Sequence, residues 1–265
     1  MFIEARRPPS RHRAGARKLL KRAMTDETDP KPSDADRPEW ARAHGPLRSF
    51  GRIKSRPIKA KQAALFDTLM PRIAMPDPAK GPIDPQALMP GAKAAWLEIG
   101  FGGGEHLAAQ AARHPEAVMI GCEPFLNGVA SALRHVEEGG LENVRLHADD
   151  ARAVMAALPD ASLDRVMILF PDPWHKARHN KRRFLQDETA VEIARLLKPG
   201  GRVRFVTDWL DYADWALERL ARTPGLTRIE TGVDWFAPPE DHVITRYEEK
   251  KLGDTAPIFL EFERS

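Results

Sequence analysis

The sequence is poor in the features that fix a protein outside the reducing cytoplasm or inside a membrane. Its single cysteine, Cys122, has no second thiol to pair with, which excludes an internal disulfide. Cys122 closes an apolar run with no activating pattern around it, so it reads as a buried small residue rather than a catalytic thiol. No Cys/His cluster has metal-ligand spacing, and no metal is expected. Long hydrophobic runs are missing too: stretches such as Val166 to Phe170 fall far short of the roughly 20 residues that a membrane-spanning helix needs. Charges stand near the N-terminus where a signal peptide would carry its apolar stretch. A cytoplasmic location without membrane attachment is the expectation.

The 265 residues suit one core domain with appendages, and their net charge is only +3. That charge is unevenly spread. Residues 1–55 form a basic extension carrying Arg6, Arg7, Arg11, Arg13, Arg17, Lys18, Lys21 and Arg22, with an Asp- and Pro-rich stretch, Thr25 to Arg37, that reads as an extended or disordered linker. Such an arm is the electrostatic footprint of a polyanion partner, although a solubilising tail has the same composition. Residues 56–265 are expected to hold the folded domain.

Within that domain everything is arranged around Trp96-Leu-Glu-Ile-Gly100-Phe-Gly102-Gly103-Gly104-Glu105-His106, which reads as strand, glycine turn and helix. A turn this rich in glycine lets backbone N–H groups approach a ligand, and the helix adds its positive N-terminal dipole. The NAD fingerprint would want glycine at position 105, where this chain has Glu105. A ligand without a pyrophosphate suits the turn better, and S-adenosylmethionine (SAM) fits, with a purely structural tight turn as the plain alternative. Downstream, apolar strands expected at 94–99, 117–122, 144–147, 164–170 and 202–207 alternate with helices expected at 105–113, 126–138, 151–157 and 183–197. This alternation predicts an α/β fold of the Rossmann-like kind, a mostly parallel twisted sheet with helices on both faces. A short helix is expected at 62–69, ended by Pro71, Pro76, Pro78, Pro82, Pro85 and Pro90.

Ligands of such sheets bind beyond the C-terminal strand ends, where this sequence places Glu98, Glu123, Asp150, Asp172 and Asp208. Glu123 stands at the spacing from the glycine turn at which a carboxylate accepts from both hydroxyls of a ribose. Asp150 could accept from an adenine amino group. The densest signal is Phe170-Pro-Asp-Pro-Trp-His-Lys-Ala-Arg-His-Asn-Lys-Arg-Arg-Phe184. Here Asp172 sits between two prolines in a stiff loop, beside Trp174 and a run of cations suited to phosphates.

Glu98-x-Gly-x-Gly-Gly-Gly, the Pro171 to Phe184 block, Thr207-Asp208 and Thr245-Arg-Tyr-Glu248 together resemble the bacterial tRNA (guanine-N7)-methyltransferase family, over roughly Arg56 to the C-terminus. The resemblance implies a SAM-dependent fold, methylation of the variable-loop guanosine at tRNA position 46, and a monomer, with a dimer left open. It also implies that Glu98, Gly100, Gly102, Glu123, Asp150 and Asp172 line the cofactor site, with Asp172 the catalytic carboxylate. Lys176, Asp208, Thr245, Arg246, Tyr247 and Glu248 match substrate-contacting positions. Arg178, His179, Asn180, Lys181, Arg182 and Arg183 are expected to hold RNA. A dehydrogenase would explain the glycine turn and Glu123 but leave the basic block without a purpose. A non-catalytic RNA-binding protein would be expected to have lost glycines or carboxylates that are all present here.

Overall fold

The computed structural model describes residues 55, 57–229 and 234–265, so the basic extension other than Ser55, including its Thr25 to Arg37 linker, lies outside the described residues. Strand alternation sorts the apolar side chains onto two faces of one sheet. In β1 (Ala94–Ile99), Ala95, Leu97 and Ile99 enter one buried cluster and Trp96 the other. In β2 (Ala117–Cys122), Val118, Ile120 and Cys122 go one way and Ala117 and Met119 the other. A fully buried side chain of this kind contributes about 1.5–3 kcal/mol relative to exposure, so both faces must be covered. Helices α1 (Ala60–Thr68), α4 (Glu105–Arg113) and α5 (Leu126–Gly139) cover one face; α6 (Ala151–Ala157), α7 (Asp187–Leu196) and α8 (Leu210–Arg222) cover the other.

The sheet is completed by β3 (Val144–His147), β4 (Leu163–Leu169), β5 (Leu197–Thr207), β6 (Leu226–Arg228) and β7 (Ile258–Arg264), in the order β3-β2-β1-β4-β5-β7-β6. Strands β1 to β5 pair in parallel, while β7 runs antiparallel to both of its neighbours, β5 and β6. Strand order reverses between β1 and β4, and an open α/β sheet binds its ligand in the crevice above such a point.

The strands and helices expected from alternation are all present, with shifts at their ends. The helix expected from Arg183 begins only at Asp187, because Gln186 and Thr189 form a reciprocal capping box there. Residues Ala177–Arg182 instead form a short 3-10 helix. Strand β5 starts at Leu197, ahead of the expected Arg202. The prolines thought to exclude helix stand at the first helical turn, where no N–H is needed: Pro71 in α2 (Met70–Ile73), Pro78 in a 3-10 turn and Pro85 in α3 (Pro85–Leu88). Alternation did not reveal α8, β6 or β7.

Candidate active site at the strand ends

Two glycines let the turn after β1 close on the helices behind it. Gly104, at φ 80°, caps α4 so near α5 that a Cβ there would lie 2.6 Å from that of Ala132. A Cβ on Gly128 would lie 2.2 Å from the Gly102 carbonyl oxygen. The turn is thereby pressed against the start of α5, and Gly102 N–H donates to Glu123 Oε2 at 2.8 Å. Glu123 Oε1 accepts from Phe125 N–H at 2.9 Å. Each oxygen keeps a second lone pair, so the carboxylate can still take two hydroxyl donors. Burial raises its pKa to about 7, against the pull of those two N–H groups.

Glu98 and Asp150 are also held. Glu98 is buried, and its Oε2 lies 2.8 Å from His106 Nδ1. Gln110 Nε2 donates to the Asp241 carbonyl at 2.7 Å, which fixes its amide, and it lies 3.2 Å from His106 Nε2. His106 Nε2 is therefore the acceptor, and the Nδ1 proton points at Glu98. Asp150 caps α6, accepting from Arg152 N–H at 3.0 Å and from the Arg152 guanidinium at 2.9 and 2.6 Å. Burial opposes the ionised form of Asp150, but these hydrogen bonds outweigh it and hold the pKa below the usual range.

The β4 side is built differently. Asp172 follows Phe170 at φ 49° and precedes Trp174 at φ 44°. Left-handed backbone at two bulky residues costs on the order of 1–3 kcal/mol each and persists only where the surroundings enforce it. Phe170 N–H donates to the Val206 carbonyl at 2.8 Å, and the Phe170 ring packs on Tyr247 at 5.4 Å. The Asp172 carboxylate keeps an open face to solvent, yet the protein around it raises its pKa by desolvation, against the attraction of His175. Asp208, after β5, is buried and accepts from Gly253 N–H at 2.9 Å and from Tyr247 O–H at 3.4 Å. Burial lifts its pKa to about 6 in spite of these donors.

The segment carrying Thr245 to Glu248 is fastened by the residues before it. Asp241 pairs with Arg165 and Arg204, each at 2.8 Å, and its carbonyl accepts from Gln110 and Arg113. The partly buried His242 holds Glu248 Oε2 at 2.9 Å, leaving Oε1 for another donor. Thr245 Oγ1 accepts from Glu248 N–H at 3.2 Å. Arg246 and Lys176 are exposed.

The basic block does not present one uniform surface. Arg178 and Lys181 are exposed, and His179, Asn180 and Arg182 are partly so, with Arg182 lying 5.1 Å over the Trp174 ring. Arg183 departs from the expected row of phosphate-facing cations: it is 2% exposed and turned inward, because its guanidinium finds partners in the protein. Sequence reasoning also missed His106, Gln110, Asp241 and His242. His106 and Gln110 lie four residues apart on one helix face, a spacing that marks a shared task once Glu98 is known. Asp241 had no local signal, because its partners are distant in sequence, whereas His242 lies only six residues from Glu248. Among the described residues, no group of three or more His, Cys, Asp or Glu could hold a metal ion, and no helix is long and apolar enough to cross a membrane.

A family model described as "Putative methyltransferase" matches residues 92–260, which span β1 to β5 and reach into β7. Together with the Rossmann-like sheet and its row of strand-end acids, this defines a methyltransferase. The tRNA (guanine-N(7)-)-methyltransferase of Caulobacter vibrioides is 63% identical over 221 residues, covering 83% of this chain and 96% of the relative. That of Hyphomonas neptunium is 48% identical over 229 residues, covering 82% and 99%. A solved 16S rRNA (adenine(1408)-N(1))-methyltransferase from Catenulisporales acidiphilia, with its cosubstrate SAM, is similar at TM-score 0.48 and 19% identity, covering 72% of this chain and 92% of that one. The chain belongs to the tRNA (guanine-N7)-methyltransferase family.

Proposed function

We infer that this protein transfers a methyl group from SAM to N7 of a variable-loop guanosine in tRNA. The observation that carries the reading is the meeting, at the β1–β4 crevice, of a glycine cradle with a buried carboxylate and a stiff loop that presents Asp172. The cradle fits the cofactor: side chains are excluded at Gly104 and Gly128, and Glu123 retains acceptor capacity for two ribose hydroxyls. Glu98, Gly100 and Gly102 would line the same site, and Asp150 would take the adenine amino group in competition with Arg152. When bound, SAM would supply a sulfonium methyl whose carbon the lone pair of guanine N7 can attack, forming the N7–methyl bond as the sulfur departs as a neutral thioether and the purine becomes cationic.

Guanine N7 carries no proton, so no general base is required and alignment does most of the work. Asp172 is the catalytic residue in this reading, a fixed carboxylate beside the purine as it becomes positive. Its raised pKa has a use here: a cationic ring nearby draws the carboxyl back to its ionised form. The Watson–Crick edge of guanine offers two donors, N1–H and the N2 amino group, and Glu248 Oε1 or Asp208 can accept from it. Lys176, Thr245, Arg246 and Tyr247 complete the substrate side. Arg178, His179, Asn180, Lys181 and Arg182 hold the RNA backbone and contribute affinity without reading sequence.

We also propose that residues 1–55 form a basic extension to a methyltransferase domain at 56–265, and that the enzyme acts as a monomer in the cytoplasm. The test is nucleoside analysis of tRNA incubated with the protein and labelled SAM. The label should appear as N7-methylguanosine, one per tRNA, at a site labile to reduction and strand cleavage. A neutral product such as N2-methylguanosine or 1-methylguanosine would overturn the N7 assignment.

A further inference from the structure

Arg183 is the one member of the basic block that the proposed RNA contacts leave without a task. Its Nε donates to the Pro173 carbonyl at 2.9 Å, and Nη2 pairs with the Asp211 carboxylate. Its guanidinium carbon lies 4.8 Å over the Tyr212 ring and 5.0 Å over that of Trp215. Asp211, Tyr212 and Trp215 all belong to α8, whose first turn follows Asp208. Pro173 follows Asp172 in the loop bracketed by the positive-φ residues Phe170 and Trp174. One side chain therefore ties the strained loop carrying Asp172 to the helix that begins beside Asp208.

We propose that Arg183 is a positioning residue, which holds the Asp172 loop against α8 and sets the carboxylate's place beside the substrate, rather than a contact to tRNA phosphate. The proposal rests on the guanine-N7 reading. The chemistry explains why arginine stands there. A donor aimed at a carbonyl, a second aimed at a carboxylate and a flat face laid on two rings require a rigid planar fork, which lysine lacks. The segment around it is fastened to the same helix: Trp215 Nε1 donates to the Leu185 carbonyl at 2.8 Å, and Leu185 N–H donates to the Tyr212 hydroxyl at 3.3 Å.

Arg183→Lys separates the two roles, because it keeps the charge and removes the fork. The measurements are turnover of tRNA at saturating SAM and tRNA, and the tRNA dissociation constant as a function of salt. Turnover is expected to fall at least ~10-fold, with the dissociation constant and its salt slope within about twofold of wild type. Arg183 Nη1 is buried without a protein partner. Were it there to meet a phosphate, the lysine's charge would keep the contact, so turnover, affinity and salt slope would all stay near wild type, and normal turnover overturns the proposal. Arg219→Lys controls for packing alone, since Arg219 also lies over Trp215, at 3.2 Å; its turnover should stay at the wild-type level, and a loss equal to that of Arg183→Lys would overturn the proposal. If Arg183→Lys fails to fold, Asp211→Asn decides, because the Asp211 side chain is 70% exposed and its removal spares the core. Turnover about threefold lower at unchanged tRNA affinity supports the clamp; unchanged turnover overturns it. A wild-type protein that makes no N7-methylguanosine defeats the functional reading itself, whereas an active wild type with an equally active Arg183→Lys defeats only the clamp.

Discussion

The two halves of the crevice reach order by different routes. On the β1–β3 side, Glu98, Glu123 and Asp150 are each secured by a partner within 21 residues in sequence: His106, the backbone of Gly102 and Phe125, and Arg152. On the β4–β5 side, Asp172 sits on a strained loop, and Asp208 and Glu248 depend on a segment pinned across the sheet by Asp241 to Arg165 and Arg204. The first half is local and largely preformed. The second is assembled from remote pieces, and in the proposed function the first holds the cofactor and the second the reacting base.

The largest effect should come from the β4 side. Asp172→Asn keeps the shape and removes the charge, and turnover should fall on the order of 10²-fold or more while tRNA affinity changes little. Normal turnover in that variant would move the electrostatic role to Asp208 or Glu248 and blur the division. Next in size is Glu123→Ala, which should weaken SAM binding by about 1.5–3 kcal/mol for each charge-assisted hydrogen bond lost and leave tRNA binding nearly intact. Calorimetric titration with each ligand reads both; unchanged SAM affinity would take Glu123 out of the cofactor half.

A smaller effect is expected from pH. The Glu123 carboxyl, with a pKa of about 7, accepts ribose hydroxyls best when ionised, so SAM affinity should climb several-fold between pH 6 and pH 8 and flatten above the pKa. Binding at pH 6 should release protons, seen as a dependence of the calorimetric heat on buffer ionisation enthalpy. Equal affinity and no proton release across that range would argue against Glu123 as the ribose acceptor. Smallest in energy, Arg178→Ala and Arg182→Ala should each flatten the salt dependence of tRNA binding by about one unit of slope without touching SAM affinity. If neither changes the slope, the outward cations of the block do not meet phosphate.

The same division explains what could be read from the sequence. Strands β1 to β5 and their acids were legible because period-2 alternation, glycine turns and helix patterns are local. The glycine at 128 was not, since its task is to leave room for the Gly102 carbonyl, and only the fold brings the two together. The inward turn of Arg183 was not legible, because a run of like charges looks the same whether one member faces in or out. What turns it inward is a pair of aromatic rings on α8, and α8 was itself not recognised. Asp241 was hidden for a related reason: the strands bearing Arg165 and Arg204 lie far from it in sequence.

The placement of β7 between β5 and β6 constrains the order in which the molecule can assemble. Strand β6 pairs within the sheet only with β7, which comes thirty residues later in the chain, so it cannot be seated until that later strand has arrived beside β5. Closing this loop costs chain entropy before any pairing repays it, whereas each of β2 to β5 can pair on arrival with a strand already made. The Thr245 to Glu248 segment lies inside the same excursion between β6 and β7. Its anchorage therefore ripens with the final pairing step, and during synthesis the β4–β5 half of the crevice is completed after the β1–β3 half.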